Sequence, residues 1–254
     1  MQCIFNSAKN TYEIFKFISQ FETNVKLECS KSGITMFTMS NCHSVFIDVD
    51  LPKDHFATFE CEETMSIGLN LTVLLPALSG SKPKDSLMMK CANGDTVTFT
   101  KMSGDKEMEY VIKQMSIEDE NMQVPELEEH VTIVVNTSYL KEWRKNILDF
   151  TKSTIVIEPT KNILKLSSVG DGGTVNVKQP MPSIGISYET CNEPKSVTLG
   201  HKNVMKIFGI GDITAAVEMG YQNNMPFRFS APLSTCGRMR VFMAPCVGED
   251  MDDE

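Results

Sequence analysis

The chain predicts an α+β protein of two similar strand-rich domains, each with two short helices. Three observations carry this. Segments such as Thr96-Val97-Thr98-Phe99 and Val131-Thr132-Ile133-Val134-Val135 alternate or are rich in β-branched residues, as strands are. Four short stretches instead space their apolar residues at helical intervals. The order helix, strand, turn, strand opens the chain and recurs in its second half, which reads as a weak internal repeat. The expected organisation is one domain over residues 1–116, a connecting segment over 117–129, and a second domain over 130–254.

The first helix, begun by Tyr12-Glu13-Ile14-Phe15-Lys16-Phe17-Ile18, gathers Ile14, Phe15, Ile18 and Phe21 in one stripe. Lys9, Glu13, Lys16 and Gln20 share the opposite face. A strand follows over residues 24–29, then a turn at Ser32-Gly33, and two further strands. A short loop at Pro52-Lys53-Asp54 leads into a strand over residues 56–61. Gly68-Leu69-Asn70-Leu71 then opens the second helix, over residues 71–79, where Leu71, Leu74, Leu75 and Leu78 lie at i, i+3, i+4 and i+7. Pro76 removes one backbone donor there and disfavours a helical interior.

The connecting segment IEDENMQVPELEE is acidic, carries a proline and has no period, as a linker does. The third helix, begun by Tyr139-Leu140-Lys141-Glu142-Trp143-Arg144-Lys145, points Leu140, Trp143 and Ile147 inward and Lys141, Arg144 and Lys145 outward. Strands over residues 154–158 and 163–167 flank a turn at Lys161-Asn162. The fourth helix, over residues 201–209, turns Val204, Ile207 and Phe208 inward and Lys202 and Lys206 outward.

Composition narrows the function. The formal net charge is −9, from 24 Lys and Arg against 33 Asp and Glu, which argues against a protein that is basic all over and coats nucleic acid. Yet three of the four helices carry cations on their outer face. Eight cysteines, none at C-x-x-C spacing, read as buried free thiols in a reducing compartment, so the Asn70-Leu71-Thr72 and Asn136-Thr137-Ser138 sequons should be unused. The acidic runs have no metal-loop spacing, no stretch is long and apolar enough to span a bilayer, and no N-terminal secretory signal stands out. A soluble intracellular protein without a cofactor or metal is expected.

Catalytic readings are weak. Gly170-Asp171-Gly172-Gly173 fits a hairpin turn, since no Gly-Lys-Ser/Thr and no helix follows it. Gly209-Ile210-Gly211 fits a helix C-cap. Cys42-His43 invites a nucleophile and base, but on a strand the two side chains would point to opposite faces.

Gly33, Met39, His43, Phe56, Cys61 and Gly68-Leu69-Asn70-Leu71 fall in an order that resembles sliding DNA clamps of the proliferating cell nuclear antigen family. Met122-Gln123-Val124-Pro125-Glu126 is similar to that family's interdomain connecting loop. Arg240-Val241-Phe242-Met243-Ala244-Pro245-Cys246-Val247 is similar to its last strand and tail, and Met225-Pro226 falls where the family has a proline entering a late strand. The resemblance implies a clamp fold closed head to tail into a trimeric ring that catalyses nothing. It holds a polymerase and other replication and repair proteins on duplex DNA, and an ATP-dependent loader opens it. No membrane is involved. The ring would work in the nucleus, or in the replication compartment of an infected cell if viral.

Carried over residue by residue, the resemblance implies a partner-peptide groove of Met39, His43, Ser44, Phe46, Met122, Val124, Pro125, Pro226, Phe242, Ala244, Pro245 and Val247. Ser44 stands where the family commonly has valine and Phe242 where it often has tyrosine. Cations facing DNA would be Lys9, Lys16, Lys82, Lys84, Lys141, Arg144, Lys145, Lys202 and Lys206, although the second helix lacks the lysines usual there. Subunits would meet through edge strands over residues 108–115 and 174–179, with Met108, Tyr110, Ile112, Val175 and Val177. Lys161 matches a lysine used for ubiquitin-type modification. The alternatives are a clamp-fold adaptor, acting as a monomer or in a mixed checkpoint-type ring, and a cysteine-dependent enzyme.

Overall fold

The structure is a computed structural model. It describes residues 1–92, 94–118, 124, 131–148, 150, 154–160, 162–189, 196–222, 225–234 and 236–246. Packing divides the chain into two units. The first is Met1–Val124 with Asp212–Thr214 and Ala231–Arg240; the second is Pro125–Gly211, Ala215–Ser230 and Val241–Glu254.

The first unit runs β1 (Gln2–Phe5), α1 (Ala8–Ile18), β2 (Asn24–Ser30), β3 (Gly33–Met39), β4 (Val45–Pro52), β5 (Phe56–Glu60), β6 (Met65–Asn70), α2 (Leu71–Leu78), β7 (Ser86–Lys90), β8 (Thr96–Ser103) and β9 (Lys106–Lys113). One antiparallel sheet has the order β5-β1-β7-β8-β9, which leaves β9 at its edge. In another sheet β4, β3, β2 and β6 are neighbours, all antiparallel. Alternation explains the sidedness. On β2, Val25, Leu27 and Cys29 are buried while Lys26, Glu28 and Ser30 are not. The stripe Ile14, Phe15, Ile18 and Phe21 is buried as its spacing requires. At the Ser32-Gly33 turn, Gly33 has φ +145°, and a Cβ there would lie 2.2 Å from the Leu51 carbonyl oxygen, so only glycine fits.

The second unit runs β10 (Val131–Asn136), α3 (Thr137–Leu148), β11 (Ile155–Pro159), β12 (Ile163–Gly170), β13 (Gly173–Pro180), β14 (Ile186–Glu189), β15 (Val197–Leu199), α4 (His201–Ile207) and β16 (Ala216–Tyr221). The strands β17 (Phe227–Leu233) and β18 (Gly237–Met243) follow, and each contributes residues to both units. One antiparallel sheet has the order β13-β12-β11-β15, with β13 at its edge. In the other, β14, β10, β16 and β17 are neighbours. The one tryptophan, Trp143, is 1% exposed, with the rings of Tyr139 at 6.0 Å and Phe208 at 6.4 Å. Among the described residues no helix is long and apolar enough to cross a membrane.

The two sequons have a structural origin. Asn70 caps α2, its Oδ1 accepting the Thr72 N–H at 2.8 Å, and Asn136 Oδ1 accepts the Ser138 N–H at 3.0 Å at the start of α3. In each, the residue two places on also gives its hydroxyl to the same oxygen. The N-x-S/T pattern is therefore a helix N-cap, used at corresponding places in the two halves.

Some expectations are corrected. The first helix starts at Ala8 rather than Tyr12, because the Ser7 hydroxyl accepts the Asn10 N–H at 3.3 Å and caps it there, and the third starts at Thr137 rather than Tyr139, just after Asn136. Pro52-Lys53-Asp54 is not a plain loop: Lys53–His55 forms a 3₁₀ turn. Gly209-Ile210-Gly211 is not a left-handed cap. It lies inside a 3₁₀ turn, Phe208–Asp212, and neither glycine has a positive φ. The glycines admit neighbours instead, since a Cβ on Gly211 would sit 2.8 Å from Lys141 Cε. Cys42 and His43 are in the turn between β3 and β4 rather than on a strand, with His43 at φ +52°. That turn is closed by Ser40, whose N–H reaches the Val45 carbonyl at 2.8 Å and whose hydroxyl accepts the Val45 N–H at 3.0 Å. The Gly170–Gly173 hairpin turn is found as expected, joining β12 to β13.

Candidate functional site

Most of the candidate cations lie on helices. On α1, Lys9 and Lys16 are exposed, and Lys16 is held by Glu13 at 3.1 Å, which raises its pKa. On α3, Lys141, Arg144 and Lys145 are exposed while Leu140, Trp143 and Ile147 are buried, so the helix presents opposite faces as read. Lys202 on α4 is exposed and Lys206 is half-buried. Lys82 and Lys84 are exposed beyond α2. Within the first unit α1 packs on α2, and within the second α3 packs on α4. Sequence reading missed one lysine that packs against the end of α2 from β8. Lys101, 6% exposed, turns its ammonium to the carbonyls of Ala77 at 3.4 Å and Ser79 at 3.2 Å, at the negative end of that helix.

The two expected edge strands are both at sheet edges. On β9, Met108 and Tyr110 are half-buried and Ile112 is 7% exposed, while Glu107, Glu109 and Val111 face out. On β13, Val175 and Val177 are half-buried between exposed Thr174, Asn176 and Lys178. The named apolar residues thus lie on the covered face, and what these edges offer is a row of backbone N–H and C=O groups.

Of the groove residues, Met39 is half-buried at the end of β3, His43 is exposed and Ser44 is half-buried. Phe46 is 7% exposed and stacks on Phe37 at 6.2 Å. Val124 is half-buried. These five belong to the first unit; Pro226, Phe242, Ala244 and Pro245 belong to the second. There Pro226 and Pro245 are half-buried, Ala244 is exposed and Phe242 is 2% exposed. The tail is anchored by the Cys246 N–H to the Thr198 carbonyl at 2.8 Å. Met122, Pro125, Val247 and Lys161 lie outside the described residues.

Sequence reading also missed a cleft of about 370 Å³ in the first unit. Met39 and His43 form part of its wall, with Phe37, Ile117, Lys26, Glu22, Glu28 and Glu118. A signal for it existed. Lys26 and Phe37 are cross-strand partners, so an aromatic ring shares the polar face of the β2–β3 pair.

The nucleophile readings fail on geometry. The Cys42 thiol meets the hydroxyls of Ser44 at 2.8 Å and Ser40 at 3.5 Å, which lower its pKa to about 7. The His43 ring turns instead to the Met39 sulfur at 3.1 Å, so no base is paired with the thiol. The Ser234 hydroxyl lies 3.2 Å from His55 Nδ1, yet it donates to the Leu233 carbonyl at 2.7 Å, leaving the imidazole as donor rather than base. Burial lowers the His55 pKa.

Residues 3–123 match the proliferating cell nuclear antigen N-terminal domain family. The proliferating cell nuclear antigen of Chaetomium thermophilum is 26% identical over 244 residues, covering 92% of this chain and 93% of that relative. The chain is proliferating cell nuclear antigen-like. Its antiparallel sheets and four short helices are the two-domain clamp fold of such proteins. This similarity supports a function of the sliding-clamp type, in DNA replication and repair; proliferating cell nuclear antigen clamps themselves are non-enzymatic scaffolds.

Proposed function

We propose that this chain is a DNA sliding clamp. Three copies close head to tail into a ring around duplex DNA, β9 of one copy pairing with β13 of the next. Residues 1–116 and 130–254 are its two clamp domains, joined by 117–129. The ring tethers a polymerase and other replication and repair proteins through a peptide groove, and an ATP-dependent loader opens it. It binds no nucleotide itself. It acts in the nucleus, or in the replication compartment of an infected cell. Lys161 is proposed as a modification site.

One observation carries this reading: two sheets end in open edges, while the outward faces of α1, α3 and α4 carry cations in a chain of net charge −9. Edge pairing between copies satisfies both rows of backbone groups without leaving a free end. Cations on helices supply phosphate contacts with no sequence readout, as sliding requires. The test is native mass by light scattering over a wide concentration range, followed by retention on closed circular against linear DNA. A mass three times that of the chain, with retention on circles only, supports the ring. A monomer at every concentration overturns it.

A second reading has one specific support. The helix α2 presents no lysine, and the nearby Lys101 is buried against the end of that helix. An adaptor that does not slide, alone or in a mixed ring, would need fewer cations there.

A further inference from the structure

A second cavity, of about 230 Å³, opens where α1 begins, and its lining belongs wholly to the first unit. Its floor is apolar, formed by the buried side chains of Phe5, Ile14 and Leu233. Its rim is polar and neutral, with Asn6, Asn10, Thr11, His55 and Ser234. Among the described residues that line it there is no Asp, Glu, Lys or Arg. The His55 wall is fixed from three sides. Asn6 donates to the His55 carbonyl at 3.0 Å, and the Ser234 hydroxyl lies 3.2 Å from Nδ1. Gly237 admits the ring, since a Cβ there would sit 2.8 Å from Nδ1. Ser234 holds its place at φ +54°, one of two non-glycine residues with positive φ among the described residues, and such backbone gathers at functional sites. Burial lowers the His55 pKa, so the ring is neutral at pH 7; with Nδ1 turned to Ser234 as donor, Nε2 is left an acceptor. The exposed Asn10 carboxamide makes no hydrogen bond among the described residues and keeps both donor and acceptor.

Size and charge select the occupant. The cavity is smaller than the roughly 300–1,000 Å³ usual for drug-sized ligands, so it holds one ring system. A charged group would find no opposite charge in the lining, and an aliphatic one would desolvate Asn10 and His55 without pairing them. A neutral planar ring with donor and acceptor on one edge meets both demands, and nucleobases carry such an edge. The cations lie just outside. Lys9 precedes Asn10, and the loop of Lys82 and Lys84 is tied to the start of α1 by the Ala8 N–H to the Asp85 carbonyl at 2.7 Å and the Ser7 hydroxyl to the Pro83 carbonyl at 3.4 Å. All three lysines are exposed. A neutral ring-sized cavity beside ammonium groups matches a base together with its phosphate. We infer that this cavity is a subsite for one unpaired base of a DNA strand. The inference rests on the reading that α1 faces DNA. The base lies on the apolar floor against the His55 ring and meets Asn10 with its hydrogen-bonding edge, while flanking phosphates lie on Lys9 and Lys82. Paired bases stay stacked within the duplex, so the subsite fills only where a strand continues unpaired. It thus adds recognition of the end of the paired region to phosphate contacts that are alike everywhere along DNA.

The test uses the full-length protein and fluorescein-labelled short DNA duplexes with free ends, read by fluorescence anisotropy. One set is blunt. The others carry a short overhang, 5′ or 3′, of adenines, with which a carboxamide can pair through two bonds, or of abasic sites, which keep the phosphates and lose the bases. With one polarity, the adenine overhang is expected to bind about tenfold tighter than its abasic twin, from the burial and stacking of one base. Both affinities fall as salt is raised, but their ratio holds, because the base contact is uncharged. Asn10→Ala changes an exposed residue, keeps the fold, and is expected to lose most of the advantage. Asn10→Ala/His55→Ala is expected to bind both overhangs as the wild type binds the abasic one. If adenine and abasic overhangs bind the wild type equally while the blunt duplex also binds, the subsite is overturned and the DNA reading stands. An adenine advantage undiminished in both variants overturns it as well, placing the base elsewhere. Displacement of the adenine overhang by an equal concentration of free adenosine monophosphate would mean a free-nucleotide pocket and also overturns it. If no duplex of any kind binds, the DNA reading itself falls and takes the subsite with it.

Discussion

Gly68 lies directly against Met115: the Met115 N–H donates to the Gly68 carbonyl at 3.0 Å, and a Cβ on Gly68 would sit 2.0 Å from the Met115 oxygen. The chain leaving β9 is in this way fastened to β6 just before the connecting segment begins. The opposing atom is backbone, so it cannot swing aside as a flexible side chain would. Gly68→Ala is expected to cost about 2–3 kcal/mol by overpacking. Denaturant unfolding at a fixed protein concentration reads this. A midpoint equal to that of the wild type would mean that the two segments do not touch.

Arg240 and Asp48 make a largely buried ion pair. Arg240 Nε donates to Asp48 Oδ2 at 2.6 Å, Nη2 reaches the same oxygen, and Asp48 is 3% exposed. Burial pushes the Asp48 carboxyl up and Arg240 opposes this. Arg240→Met leaves the carboxylate buried without that partner and is expected to cost about 3–5 kcal/mol at neutral pH. Its folded-state pKa then rises further above the unfolded value of about 3.9. The defect is therefore largest at neutral pH and shrinks as pH falls below the raised pKa, where the folded carboxyl is protonated. A loss that does not shrink anywhere between neutral pH and the unfolded carboxyl value of about 3.9 would contradict this. Asp48→Leu/Arg240→Met, which removes both charges, should recover most of the stability.

Thiol chemistry should separate the cysteines sharply. Cys42 is exposed and its pKa is about 7, whereas burial raises Cys29 to about 12 and drives Cys3 up as well. Alkylation by iodoacetamide, followed by peptide mass spectrometry, should label Cys42 with a rate rising through pH 7, while Cys3 and Cys29 stay unlabelled in the native protein. Ser44→Ala should shift that midpoint upward. A midpoint near 8.5 in the wild type would mean that the serine hydroxyls do not stabilise the thiolate. Slow labelling of every site would also dispose of the cysteine-enzyme alternative.

Replacing Lys141, Arg144 and Lys145 with alanine should lower DNA-dependent stimulation of a polymerase and flatten its salt dependence by up to three phosphate contacts. All three side chains are exposed, so stability and oligomer mass should not change. Unchanged stimulation would remove α3 from the DNA-facing surface.

For the groove, burial decides which substitution is informative. Phe242 is 2% exposed, so a charge there would destabilise the fold and confound any binding result. Val124 is half-buried and Ala244 exposed, which makes Val124→Glu and Ala244→Glu the usable probes. Either should weaken partner-peptide binding at least tenfold while oligomer mass is retained. Undiminished affinity in both variants would place the groove elsewhere.

Much of this fold is written in local pattern. Apolar spacing located all four helices and their buried faces, because a helix must put residues three and four apart on one side whatever it packs against. Alternation and β-branched content located strands such as β2, β8, β10 and β12 for the analogous reason at period two. The exposure of the α1 and α3 cations follows from the same periodicity.

What local pattern does not contain is which distant segments meet. That β9 and β13 are sheet edges depends on strand order, and strand order is a property of non-local pairing. The placing of Cys42-His43 in a turn was decided by Ser40 closing on Val45 rather than by the residues themselves. The need for glycine at position 68 appears only once Met115 lies across it. The burial of Phe242, the pairing of Arg240 with Asp48 across most of the chain, and the acid-rimmed cleft over Phe37 are of the same kind. The sequence by itself determined the elements, their sidedness and the family resemblance. The tertiary structure decided edges, clefts and ion pairs, because each requires backbone or charge from segments that only folding brings within reach of one another.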